Sequence, residues 1–138
     1  MTLKKRGLVP EFYVSDIGES RAFYTNVLGF DVAFERPEDG FIYLSREGAE
    51  LMLDAIETGR TWLTAPLEAP FGRGVNLQIW TEDVASLYRC VEAANATVFL
   101  PLEEKWYRIG EMHGGNKQFV VQDPDGYLLR FAQDLGMR

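Results

Sequence analysis

The sequence is poor in the residues that most directly carry chemistry: it has one cysteine and one histidine. A lone Cys90 makes no internal disulfide, which suits a reducing compartment, and its place in a helical apolar pattern predicts a buried structural thiol. Positive charge is also short, with 14 Lys and Arg against 21 Asp and Glu and a net charge of −7. Such a field repels phosphate backbones and favours cationic ligands, so no nucleic-acid partner is expected. No apolar run reaches the roughly 18 residues of a membrane-spanning helix, and residues 1–7 carry no apolar stretch after their basic cluster. A cytoplasmic protein without a membrane partner is therefore the expectation. A Gly-rich phosphate loop and a nucleophile–base pair are missing too.

What the chain does contain is a repeat. Two apolar runs flank Asp123-Pro124-Asp125-Gly126, in which Pro sets φ, Gly accepts a positive φ and the aspartates cap their own backbone. This predicts a β-hairpin, and residues 41–53 repeat the plan around Gly48, 78 residues earlier. Ahead of each hairpin stands an N-cap aspartate, Asp16 or Asp83, followed by a helical apolar face. These two are 67 residues apart, so the second half carries an insertion of 11 residues, assigned to a loop or lid within 98–117. Its Glu103-Glu104-Lys105 reads as a solvated turn.

The fold class is accordingly α+β: two tandem βαβββ units forming a curled mixed sheet around a cleft, with helices on the outer face. The 138 residues make a single domain, 1–138. Unit one spans about 7–56, a linker 57–73, and unit two about 74–134. The linker's Trp62, Leu63, Leu67 and Phe71 are too apolar for a solvated loop and must pack against something. Strand alternation puts Phe12, Val14, Leu51, Leu53, Leu77, Ile79, Leu129 and Phe131 under the helices. The opposite face carries Glu11, Tyr13, Glu50, Met52, Asp54, Gln78, Trp80 and Arg130, a mixed polar and aromatic surface suited to a small molecule.

The tandem βαβββ plan, the Phe23-Tyr24-x-x-x-Leu28-Gly29-Phe30 run after an N-cap Asp, and Asp123-Pro124-Asp125-Gly126-Tyr127 before the last strand together resemble the vicinal oxygen chelate superfamily. That superfamily includes glyoxalase I, ring-cleaving dioxygenases, fosfomycin-inactivating enzymes and bleomycin-resistance proteins. The resemblance implies that metalloenzymes of this group hold their metal at the positions of Val9, Met52, Asn76 and Arg130. None of these is a good ligand for a hard divalent ion, and Arg130 would repel one. The chain therefore looks most like the metal-free bleomycin-resistance branch, whose members dimerise and sequester a bulky cationic drug without converting it. This implies no catalytic residue, no metal and no cofactor, a homodimer, and a cationic or aromatic small-molecule ligand of the bleomycin type. The candidate ligand-binding set is Glu11, Tyr13, Met52, Trp62, Gln78, Trp80, Trp106, Tyr107, His113 and Arg130, with Glu11 and Arg130 a candidate ion pair. Trp62, Trp106 and Tyr107 stand outside the expected strands and helices as stacking walls or dimer contacts. The rival is a metal-dependent glyoxalase- or dioxygenase-like enzyme with atypical ligands drawn from Glu11, Gln78, Glu50 and His113.

Overall fold

A computed structural model describes residues 6–56 and 62–138. The chain divides into two compact units, 1–69 and 70–138. The first runs β1 (Glu11–Val14), α1 (Ile17–Ala22), β2 (Asp31–Arg36), β3 (Phe41–Arg46) and β4 (Ala49–Ala55). The second runs β5 (Asn76–Trp80), α2 (Val84–Ala93), β6 (Thr97–Ile109), β7 (Met112–Gln122) and β8 (Leu128–Met137). Each βαβββ unit forms one four-stranded sheet, in the orders β1-β4-β3-β2 and β5-β8-β7-β6. The first strand pairs parallel to the last, and all other pairs are antiparallel.

Both helices begin where the sequence indicates. Asp16 accepts the Glu19 N–H at 3.0 Å, and Asp83 accepts that of Ser86 at 3.0 Å. Each bond satisfies a backbone donor that no helical carbonyl can reach, contributing about 1 kcal/mol. The first helix widens after Ala22 into a π-helical turn over Phe23–Val27, which carries Tyr24 and Leu28 into complete burial before Gly29 ends it at φ 77°. In α2, Val84, Leu87 and Val91 form the buried stripe. Cys90 falls off that stripe and is exposed, contrary to the buried thiol expected of it. No helix among the described residues is long and apolar enough to cross a membrane.

Of the eight residues assigned to the core face, all are buried except Leu77, which is partly covered. Phe119 and Phe131 stack face to face at 5.6 Å in the second unit, with Tyr88 of α2 against Phe119 at 5.1 Å. Full burial of such rings contributes about 1.5–3 kcal/mol apiece.

Two expectations about the second half change. Residues 98–117 are not a loop: β6 and β7 pair from Thr97 opposite Gln122 to Ile109 opposite Met112, so the inserted residues lengthen a hairpin. Glu103, Glu104 and Lys105, expected as a turn, are part of β6. The extended ladder pairs the β7-facing backbone groups of these residues, which a lid of this length would leave to water. Of the linker, residues 57–61 lie outside the described part. Pro70 to Gly72 packs on the Asp123–Tyr127 turn: Phe71 donates its N–H to the Asp125 carbonyl at 2.8 Å and meets the Tyr127 ring at 5.9 Å.

That contact requires a glycine at 126. Its φ is 101°, and a Cβ there would stand 2.8 Å from Pro70 Cα and 3.2 Å from the Phe71 nitrogen. Gly136 has a comparable φ of 88° with nothing near. Gly126→Ala is expected to lower unfolding free energy by about 3 kcal/mol, against about 1 kcal/mol for Gly136→Ala, which suffers backbone strain alone. Urea denaturation of both variants measures the difference, and equal losses would remove the turn-docking account.

Candidate functional site

Cross-strand register defines the polar face of the first sheet. One row reads Phe34, Tyr43, Met52, Glu11 across β2, β3, β4 and β1, and the next reads Arg36, Phe41, Asp54, Tyr13. Side chains two residues apart on a strand share a face, so Glu50 joins this surface below Met52. Phe34 stacks on Tyr43 at 5.0 Å with an interplanar angle of 18°, and the Arg36 guanidinium lies 4.1 Å from the Phe41 ring centroid. Arg36 is held there by Asp39 at 3.1 Å. The Glu50 side chain is buried, with Arg6 Nε at 3.8 Å, beyond hydrogen-bond reach, and its Oε1 receives no hydrogen bond among the described residues. Burial, and then the Glu50 carboxylate, push the Tyr43 hydroxyl pKa upward.

The hydrogen-bond partner of Glu11 is Asp54, and the bond raises the Glu11 pKa from the ordinary 4.5 to about 7. Desolvation and the Asp54 charge act in the same direction. Two carboxyl groups can hydrogen-bond only by holding a proton between them. Apart from that proton, Asp54 Oδ2 has no donor among the described residues. The sequence reading placed Asp54 on this face and offered Arg130 as a candidate partner for Glu11; Asp54 as a neighbour in the next row appears only once the strands are paired. Tyr43, Phe34 and Phe41 were missed as well. Their signal was available in the alternation of β3, but the register bulge between Val32 and Phe34 shifts β2 by one and hides Phe34 from a parity count.

Tyr13 lies beside Asp54 in register, and its hydroxyl accepts the Trp62 backbone N–H at 3.0 Å. The Trp62 ring is 66% exposed. Glu11, Tyr13, Met52 and Trp62 are thus brought together in the first unit.

In the second unit, Gln78 pairs with Arg130, and Trp80, 51% exposed, stands one row on beside Ala132 and Gln118. Gln118 is buried and donates through Nε2 to Glu103 at 2.8 Å and to the Tyr107 hydroxyl at 2.7 Å. Tyr107 therefore reaches this face. Trp106, its neighbour in β6, turns to the other: its ring covers Gly115, where a Cβ would meet it at 2.6 Å, and Arg138 lies 3.9 Å from its centroid. Its indole N–H donates to Glu104 at 2.9 Å. Both aromatics lie in a strand rather than outside the regular elements. His113 sits beside the hairpin turn, opposite Arg108. Val120, level with Arg130 and Gln78, is seven residues farther along β7, roughly 23 Å at the usual strand rise. His113 and Gln78 do not share one ion at that separation.

With the geometry established, comparison with known proteins identifies the group. The profile of the Glyoxalase/Bleomycin resistance protein/Dioxygenase superfamily matches residues 9–131, and the chain belongs to that superfamily. A superfamily member from Vibrio splendidus 12B01 is 43% identical, over 91% of this chain and 95% of its own, with a TM-score of 0.43. TioX from Micromonospora sp. ML1 shares 21% identity over 95% of this chain and 100% of its own, at a TM-score of 0.73. The virulence protein STM3117 from Salmonella typhimurium shares 19% over 96% and 98%, at 0.69. These last two share the fold. No curated protein matches the chain.

Some enzymes of the superfamily use a divalent metal, and the residues here do not fit one. Met52 offers a thioether and Arg130 a cation, while Val9 precedes β1 and has no ligating atom. Among the described residues no three of His, Cys, Asp and Glu group as metal ligands.

The Glu11–Asp54 pair has a measurable consequence. Because the folded pKa of Glu11 lies above its unfolded value, the folded state binds the extra proton between pH 4.5 and about 7. Stability is highest below that window, falls as pH rises through it, and levels off above. The expected loss is about 1–2 kcal/mol once solvent screening is allowed for. Glu11→Gln should remove this slope and be the more stable form at pH 8. Urea midpoints of both proteins at pH 5 and pH 8 test it, and parallel pH profiles would refute the shared proton.

Proposed function

We propose that this chain is a metal-free small-molecule binding protein that sequesters a bulky cationic or aromatic ligand of the bleomycin type, acting as a cytoplasmic homodimer and catalysing no reaction. The observation that carries this reading is the polar face of the first sheet, where the rings of Phe34, Phe41 and Tyr43 adjoin the carboxyls of Glu11, Glu50 and Asp54. Aromatic faces attract planar cations through their quadrupoles, and the chain's own Arg36 guanidinium lies over Phe41 in this manner, which supports the reading. A cationic ligand would supply the hydrogen-bond donors that Glu50 Oε1 lacks. The net charge of −7 adds a long-range attraction for such a ligand. Sequestration needs affinity alone, and stacking with charge complementarity supplies it without a nucleophile or a metal.

Titration of the purified protein with bleomycin, followed by tryptophan fluorescence, is expected to give a saturable change at micromolar drug, since Trp62 and Trp80 are exposed. Asp54→Asn should weaken binding by about tenfold, the effect of losing one charge-assisted hydrogen bond. An unchanged spectrum across the micromolar range would defeat the bleomycin reading. Sedimentation velocity tests the dimer separately.

A further inference from the structure

Arg130 lies at the centre of the polar face of the second sheet, between Gln78 of β5 and Val120 of β7. Its Nε is buried without a hydrogen-bond partner, and its guanidinium makes no ion pair among the described residues. A guanidinium is always charged and carries five N–H donors in a planar fork. Leaving such a group half-buried and unanswered is costly, and native proteins seldom tolerate it without a partner.

The surroundings narrow the partner's chemistry. In the rows on either side of Arg130 the same face carries Asn76, Trp80, Gln118 and Gln122, none of them charged. Of the acids farther along this face, Glu103 of β6 accepts from Gln118 at 2.8 Å and Asp134 of β8 from the Gly136 N–H at 2.8 Å. With amides nearest it and the Glu103 carboxylate already engaged by Gln118, the one positive charge of Arg130 matches a singly charged planar anion; a phosphate dianion would be left half-compensated. The carboxamide of Gln78, directly beside Arg130, adds a donor, and the exposed Trp80 ring offers an apolar surface for the remainder of the molecule.

We propose that Arg130, with the Gln78 amide beside it, anchors the carboxylate of a small organic ligand through a bidentate hydrogen-bonded fork. This assignment is independent of the cation-binding face on the first sheet.

The test uses the full chain, with sodium benzoate as the carboxylate probe, benzamide as its neutral counterpart and phenyl phosphate as the dianion, at matched ionic strength. The Arg130 Nε–H resonance, followed by NMR, is expected to move saturably with benzoate and to stay in place with benzamide. Arg130→Gln should weaken benzoate binding by about tenfold to a hundredfold. Arg130→Lys, which keeps the charge and loses the fork, should fall between the two. Should the Gln variant fail to fold, the wild-type resonance and the Lys variant still decide. A stationary Arg130 resonance, equal benzoate affinity in wild type and Arg130→Gln, or tighter binding of phenyl phosphate than of benzoate would each overturn the assignment. A protein that answers benzoate at Arg130 but ignores bleomycin keeps this anchor and loses the drug-sequestering reading, and the reverse result separates them the other way.

Discussion

The second unit depends on one buried carboxylate. Asp123 Oδ1 accepts the N–H groups of Asp125 and Tyr127, both at 2.9 Å, while its backbone exchanges bonds with Gly126 and Tyr127. With the turn closed in this way, Val121 is opposite Leu129 and Val120 opposite Arg130. A slip of one residue would move Arg130 into the core beneath α2 and push Leu129 and Phe131 out to the polar face. Burial of those two side chains and closure of the turn therefore demand the same register, and the position of the guanidinium follows from it.

The first unit reaches the same topology with less. Its β3–β4 connection is a two-residue turn, Glu47 and Gly48, both at positive φ, the conformation whose twist matches paired strands. Glu47 bears that strain without being glycine, and its carboxylate bonds Arg46, which in turn donates to the Leu28 carbonyl at 2.8 Å. The two units thus share an order of elements and differ in how each register is held. They differ also in the character of their polar faces. The first gathers carboxyls and aromatic rings, and the second centres on a cation set among amides.

Much of the architecture was legible because it rests on local rules. The N-cap aspartates, the two hairpin turns and the period-two apolar alternation act within a few residues of one another, and the core residues follow from them. The inserted segment was misread because Pro101, the Gly114-Gly115 pair and the paired glutamates look like loop chemistry. In the structure Gly115 lies beneath Trp106, a close approach that needs a residue without a side chain, and Pro101 falls where the β6–β7 register is irregular. Cys90 was misplaced because a helical pattern of small and apolar residues does not show how wide its buried stripe is.

Composition and spacing by themselves determined the tandem βαβββ plan, the two sides of each strand and the membership of Arg130 and Glu11 in polar faces, since parity along a strand is a property of the backbone alone. Tertiary structure decided which residues become neighbours: Glu11 with Asp54, Gln78 with Arg130, Tyr107 with Gln118, and Trp106 with Gly115 on the other face of its own sheet. Those pairings depend on how strands far apart in sequence align. A shared proton or an unanswered guanidinium exists only between groups that such alignment brings within hydrogen-bond distance, or leaves without one.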